Sequence, residues 1–351
     1  MSTNRSHSHL FPGVPLALGS AALFGATPPL SKLLLDAVDP FMLAGLLYFG
    51  AGVGLALYRA FDRAAEREAR LLKKNAPWLV LAIVLGGAIA PVLLMFGLTL
   101  TTAANASLLL NLEGLATMTI AWLVYRENVD RRLLFGALAI LVGAVLLSWQ
   151  GQGALDVGAL LVAGACLAWG LDNNFTRKIS AADPVAIAML KGLVAGAVNL
   201  SIALASGASL PALQVAAAAG VLGLLGIGVS LVMFILALRH LGTARTGAYY
   251  SLAPFIGAVL AITLLAEPLT MRLVAAAVLM GVGLWLHLSE RHEHDHSHEA
   301  LEHEHAHTPD PHHQHDHDGP VSEPHSHWHR HEPMRHKHPH YPDLHHRHSH
   351  G

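Results

Sequence analysis

Ten stretches of about 20 apolar residues, nearly free of charge, recur through the first 290 positions of the chain. A helix needs about that length to cross a hydrocarbon core of ~30 Å. The stretches run over 13–34, 40–58, 77–98, 105–124, 132–149, 155–177, 184–205, 216–238, 245–266 and 270–289, and are rich in Leu, Ala, Val and Gly. Lipid admits only helices and closed barrels, because every backbone polar group must find a partner within the protein. The alternating polar residues of a barrel are absent, so the fold class is an all-α membrane protein with ten spans. The breaks carry turn chemistry: Asp39-Pro40, Asn75-Ala76-Pro77, Gln150-Gly151-Gln152-Gly153, Asp183-Pro184 and Glu267-Pro268.

Beyond residue 290 the chain obeys different physics. Residues 291–351 hold 22 of the 26 histidines, 7 prolines and only 8 apolar residues. Residues 1–290 carry 17 Lys and Arg against 13 Asp and Glu, and the tail carries 5 against 11. The near-neutral total is therefore a cancellation. It leaves no basic footprint for nucleic acid. One cysteine, Cys166, excludes a disulfide framework and a Cys-based zinc ribbon. The first 12 residues show no cleavage signal before Pro28-Pro29, so residues 1–12 read as an N-terminal extension and 13–34 as a retained span.

Basic residues set the expected orientation. Loops after even-numbered spans hold 13 of them, from Arg59 to Arg245, whereas loops after odd-numbered spans have only Lys32 and Arg272 near their edges. This bias predicts an inner (plasma) membrane protein with both termini in the cytoplasm.

The chain also repeats itself. Gly19 to Pro40 and Gly164 to Pro184 share two glycines six residues apart, a Ser/Thr-basic pair (Ser31-Lys32, Thr176-Arg177) and a closing Asp-Pro. Later segments align Glu127 with Glu267, an offset of 140. The expected units are 13–149 and 155–289, five spans each, joined by 150–154. An odd number of spans inverts the second unit, as in many secondary transporters, whose substrate sites lie near the midplane. The paired pattern Tyr125-Arg126-Glu127…Gly136…Gly143 and Ala266-Glu267-Pro268…Gly281…Gly283 resembles the EamA domain. Two tandem copies of that domain characterise the drug/metabolite transporter superfamily. The resemblance covers residues 15–289 and implies a ten-helix exporter of small solutes, not an enzyme. The histidine tail is similar to that of a branch found with nickel and cobalt resistance, which implies divalent-metal efflux. A homodimer is compatible with this resemblance.

Ionisable residues inside spans are costly and by default functional. Glu113 falls near the middle of span 4, Lys191 a third of the way along span 7, and Asp172 toward the end of span 6 beside Asn173 and Asn174. Asn105 and Asn111 add oxygens on span 4. On a continuous helix, positions 105 and 113 lie about 80° apart, on one broad face. Such a carboxylate could bind a cation or exchange it for a proton, or it could pair with Lys191. Asp172-Asn173-Asn174 replaces Thr27-Pro28-Pro29 of the first repeat, so the halves differ where a site is expected. Lys191 favours an anionic or zwitterionic cargo and counts against a metal. Glu127, Glu267, His240 and His287 fall at span ends and read as interfacial. The intramembrane glycines, such as Gly50/Gly54 and Gly192/Gly196, read as packing positions.

The tail histidines run as His292, His294, His296 and His298; His303, His305 and His307; His312, His313, His315 and His317; His325, His327, His329 and His331; His336, His338 and His340; and His345, His346, His348 and His350. Imidazole is the commonest transition-metal ligand, and a flexible chain can wrap several rings around one ion. Residues 290–351 cannot bury a core and are expected to lack structure without metal. The metal is not encoded; nickel, cobalt and zinc all suit imidazole.

The reading that results is a secondary exporter embedded in the lipid bilayer, with no required cofactor. Its first-choice cargo is Ni²⁺ or Co²⁺, then Zn²⁺, gathered by the tail. One rival keeps the carrier and makes the cargo a metabolite or amino acid. The other makes the protein a membrane-anchored metal sensor or store. No nucleotide-binding loop GxxxxGK[ST] or GxSxG occurs and no span contains HExxH, which argues for a gradient as energy source and against an intramembrane enzyme. Reporter fusions at Gly351 are expected to be active only on the cytoplasmic side; an external reporter signal would invert the orientation.

Overall fold

The computed structural model describes residues 13–61, 71, 73–125, 131–151, 154–179, 182–241 and 243–288, together with four short tail segments. It is nearly all helical. Each of the ten expected spans is found as helix. Spans 2, 5, 6, 7 and 10 are single helices: Pro40–Phe61, Arg131–Ser148, Val157–Arg177, Pro184–Ala205 and Met271–Leu288. Among the described residues, nine spans are both long and apolar enough to cross a bilayer by length and composition. The tenth, span 6, is 21 residues long and carries the Asp172-Asn173-Asn174 cluster. The most polar span is thus the one that brings polar side chains into the interior.

The other five spans are broken: spans 3 and 4 at places that match spans 8 and 9, and span 1, whose counterpart span 6 is continuous. Span 1 divides into Gly13–Gly25 and Thr27–Leu34, with Pro28 and Pro29 opening the second piece. Span 4 divides at Leu110 into Ala103–Leu109 and Asn111–Tyr125. Span 9 divides into Thr243–Tyr250 and Ala253–Leu264. Spans 3 and 8 each carry a π-helical segment, Ile83–Ile89 and Leu224–Val229, between α-helical pieces. The repeat offset of 140 puts Gly86 over Gly226, inside both π segments.

The packing follows the same pseudo-symmetry. Span 2 packs on span 7 and span 5 on span 10. Span 6 packs on spans 3 and 4, as span 1 packs on spans 8 and 9. Glycine sets how closely the central helices approach. A Cβ on Gly192 would lie 2.8 Å from Gly52 Cα, so the backbones of spans 2 and 7 touch at this crossing. Gly136 and Gly283 make the equivalent contact between spans 5 and 10. With no hydrophobic force between helices in lipid, such close van der Waals contact carries the association. Outward-facing Leu, Val, Phe and Trp, among them Phe135, Leu138, Val278 and Trp285, are left for the bilayer.

Helix ends are capped by the residues flagged at the breaks. Asp39 accepts from the N–H of Phe41 and Met42, and Asp183 accepts from Val185 and Ala186, so each Asp-Pro opens a span. Asp183 also pairs with Arg59 of span 2. Glu267, expected at the interface, reaches across the halves: its two oxygens accept from the N–H of Ala103 (2.7 Å) and Ala104 (2.8 Å) at the start of span 4. Lys32 donates to the carbonyls of Leu98 and Thr101 where span 3 ends. Glu127 lies outside the described residues.

In the tail, Glu293–His298 pairs antiparallel with Met334–Pro339, and Leu301–His307 with His325–His331. The expectation of a tail without structure changes at these four segments, where the backbone forms two-stranded ribbons. Such ribbons are marginal on their own in water. Of the tail histidines, His292, His312, His313, His315, His317, His340, His345, His346, His348 and His350 lie outside the described residues.

The bidentate cap predicts a specific loss. Glu267→Ala leaves two N–H groups at the start of span 4 without an acceptor, which costs about 1–2 kcal/mol by analogy with other caps. The unfolding midpoint in detergent should fall, and Glu267→Gln should recover part of it.

Candidate cargo site between spans 3, 4, 6 and 7

Polar groups meet where span 6 crosses the π segment of span 3. Asp172 is 2% exposed. Its Oδ2 is paired with Lys191 Nζ of span 7, and its Oδ1 accepts from Thr176 Oγ1 at 3.1 Å. On the remaining side stands Gly86, where any Cβ would collide with the Asp172 carboxylate. The next residue, Gly87, faces Lys191: a Cβ there would lie 3.2 Å from Lys191 Cγ. Gly86-Gly87 therefore forms the seat of the ion pair.

Local chemistry explains the seat. In the π register the N–H of Ala90 donates to Leu85 O, five residues back. The next donor in that register, for Gly86 O, would be residue 91. That residue is proline and has no N–H. The Gly86 carbonyl is instead satisfied by two side chains, Tyr48 Oη–H of span 2 at 3.0 Å and Trp169 Nε1–H of span 6 at 2.9 Å. In a membrane interior an unmet carbonyl costs several kcal/mol, so these donors are needed.

Span 4 supplies the second carboxyl. Asn173 Nδ2 donates to Glu113 Oε1 at 3.0 Å and to Thr117 Oγ1 at 3.1 Å. Asn174 Nδ2 donates to the carbonyls of Thr117 (3.1 Å) and Gly170 (2.8 Å), joining span 6 to span 4. The cluster thus holds one ammonium and two carboxyl groups within a few residues of the Gly86 seat, and can meet a ligand bearing either sign of charge.

Five of the seven span residues singled out by sequence are gathered here: Glu113, Asp172, Asn173, Asn174 and Lys191. Asn105 sits apart, in the first turn of Ala103–Leu109, with its backbone N–H capped by Thr102 Oγ1. Asn111 is buried and turns to its own backbone, donating to Leu108 O at 2.8 Å beside the break, with Met280 Sδ at 3.9 Å. The break at Leu110 cancels the one-face arithmetic, which assumed a continuous helix from 105 to 113. Lys191 pairs with Asp172 rather than with Glu113. Tyr48, Gly86, Gly87, Thr117, Trp169 and Thr176 were not singled out by sequence. Their signal was present as Gly-Gly ahead of an in-span proline, with a tyrosine and a tryptophan in neighbouring spans.

The second half builds an uncharged counterpart. Gly226 of span 8 stands against Thr27 Oγ1 of span 1, as Gly86 stands against Asp172. Thr27 is the residue that Asp172 replaces in the repeat alignment. Among the described residues no three His, Cys, Asp or Glu side chains converge as a metal-binding group.

The family model of EamA-like transporters matches residues 11–149 and again 156–289. The chain belongs to the EamA-like transporter family. This EamA protein is accordingly a multi-pass membrane transporter. An uncharacterized transporter of Methanothermobacter thermautotrophicus is 31% identical over 282 residues, covering 75% of this chain and 82% of that protein. A probable amino-acid metabolite efflux pump of Salmonella typhimurium is 28% identical over 204 residues, covering 53% of this chain and 67% of the pump. A solved crystal structure shares the fold at 20% identity, with a TM-score of 0.58, over 78% of this chain and 95% of its own.

The ion pair makes a testable demand on this EamA protein. Asp172→Asn strands the Lys191 ammonium and Lys191→Met strands the Asp172 carboxylate, each costing about 3–5 kcal/mol, whereas the double substitution removes both charges together. Thermal stability in detergent is expected to drop in each single variant and to return in Asp172→Asn/Lys191→Met. Transport activity should be absent from all three.

Proposed function

We propose that this protein is a secondary exporter of a small amphoteric organic solute, of the amino-acid class, working by alternating access of its two inverted halves. It resides in the inner membrane with both termini cytoplasmic. The observation that carries this reading is the buried Asp172–Lys191 pair, with Glu113 of span 4 joined to the next residue of span 6 through the Asn173 amide. A solute with one positive and one negative group can meet this set without leaving a charge uncompensated in low dielectric. Glu113, held by the neutral Asn173 amide, is the group assigned to exchange the coupling proton. The printed description of the Salmonella typhimurium relative supports the cargo class.

A second reading makes Ni²⁺, Co²⁺ or Zn²⁺ the cargo. It rests on the 22 histidines of residues 291–351, which in either reading bind divalent metal and could gather or buffer it. The Lys191 ammonium at the seat speaks against a dication there.

Inside-out vesicles separate the two. With an acidic lumen, radiolabelled neutral amino acids should accumulate, and Glu113→Gln should abolish the dependence on the gradient. Removing residues 291–351 should leave that uptake intact while abolishing nickel binding to the vesicles. Accumulation of ⁶³Ni²⁺ with no amino-acid uptake would instead establish the second reading.

A further inference from the structure

In the π register the Gly86 carbonyl has no backbone donor from its own helix, because the residue five positions on is Pro91. If span 3 returned to the α register, the N–H of Ala90 would donate to Gly86 O, and proline 91 would leave Gly87 O without a donor instead. The choice of register therefore moves the orphaned carbonyl between two adjacent residues, one against Asp172 and the other against Lys191. Two donors from other spans, Tyr48 Oη–H and Trp169 Nε1–H, both select Gly86.

We propose that Tyr48 and Trp169 are positioning residues for transport: by clamping the Gly86 carbonyl they hold span 3 in its π register, which presents Gly86-Gly87 as the seat of the Asp172–Lys191 pair. Both donors are attached to spans that pack on the seat. Tyr48 lies on span 2 next to span 7, which bears Lys191, and Trp169 lies one turn before Asp172 on span 6. A shift of register in span 3 is thereby tied to the helices that carry both partners of the pair. π-helical segments inside α-helices are frequent at functional sites, and here the proline fixes where the segment must stop. Tyr48 and Trp169 act through the seat and need not touch the cargo. The inference rests on the cluster being the cargo site, but its test uses no cargo.

Cys166 provides the readout. It is the only cysteine of the chain, fully buried on span 6 one turn before Trp169, with its Sγ toward Leu109 O at 3.5 Å. Its rate of alkylation by N-ethylmaleimide, measured on the full-length protein in native membranes, reports loosening of span 6 from its neighbours. Tyr48→Phe, which removes one hydroxyl on a different span, is expected to raise the rate at least threefold. Adding Pro91→Ala supplies the missing backbone N–H in register for Gly86 O and should bring the rate back to within twofold of wild type. General damage to packing would not be repaired by a second substitution on another helix. If Pro91→Ala does not reach the membrane, Tyr48→Phe combined with Trp169→Phe serves: with no side-chain donor left, the rate should exceed that of either single variant. A wild-type rate in Tyr48→Phe, a rise that Pro91→Ala does not reverse, or a combined variant no faster than the singles would overturn the proposal. Loss of amino-acid uptake with these labelling results intact would instead count against the proposed cargo alone.

Discussion

The constraint on which the structure depends is that a backbone carbonyl or N–H in lipid has no water to turn to. Unbroken helices meet it automatically, and spans 2, 5, 6, 7 and 10 are unbroken. A group left unmet at a break must be served by another side chain, and where that side chain comes from elsewhere it ties one span to another. Proline 91 deprives the Gly86 carbonyl of its next donor, and Tyr48 and Trp169 bring spans 2 and 6 to it. At the start of span 4 the free N–H groups of Ala103 and Ala104 are met by Glu267 from the other half of the molecule. Beside the break at Leu110, the Asn111 amide covers Leu108 O.

The same low dielectric that demands these partners makes the charged cluster interdependent. Asp172 is held on three sides, by Thr176, Gly86 and Lys191, while the only ion pair found for Lys191 among the described residues is with Asp172. Taking either partner away exposes the other to an environment that stabilises charge poorly, so a ligand must compensate whatever it displaces. The two halves are alike in backbone and unlike in charge. Gly226 repeats the seat of Gly86, but against Thr27 in place of a carboxylate.

Much of this was legible in the chain. The ten spans, the inverted repeat, the Asp-Pro caps and the choice of Glu113, Asp172, Asn173, Asn174 and Lys191, which the fold gathers between spans 4, 6 and 7, all follow from apolar length, self-similarity and the cost of charge in a membrane. The two asparagines that do not join the site fail for different reasons. Helical periodicity relates 105 to 113 only while the helix continues, and it is interrupted at Leu110. Asn111 shares the helix of Glu113, but two positions away it lies about 200° round the axis and its amide serves Leu108 O. The residues that sequence passed over are uncharged at neutral pH. Tyr48 and Trp169 read as ordinary large side chains of apolar spans until the carbonyl they serve is known to be without a donor.

The sequence by itself determined that this chain crosses a bilayer as two inverted sets of five helices with a histidine-rich extension, because hydrophobic length and repetition are properties of neighbours along the chain. Only the tertiary structure decided which charge pairs with which. Asp172 and Lys191 are 19 residues apart and Asn173 and Glu113 are 60 apart, so their partnership depends on how spans 4, 6 and 7 cross. It also decided that a glycine pair in span 3 becomes a seat. That outcome needs a proline on the same helix and a tyrosine and a tryptophan on two others, a coincidence that exists only once the helices are packed.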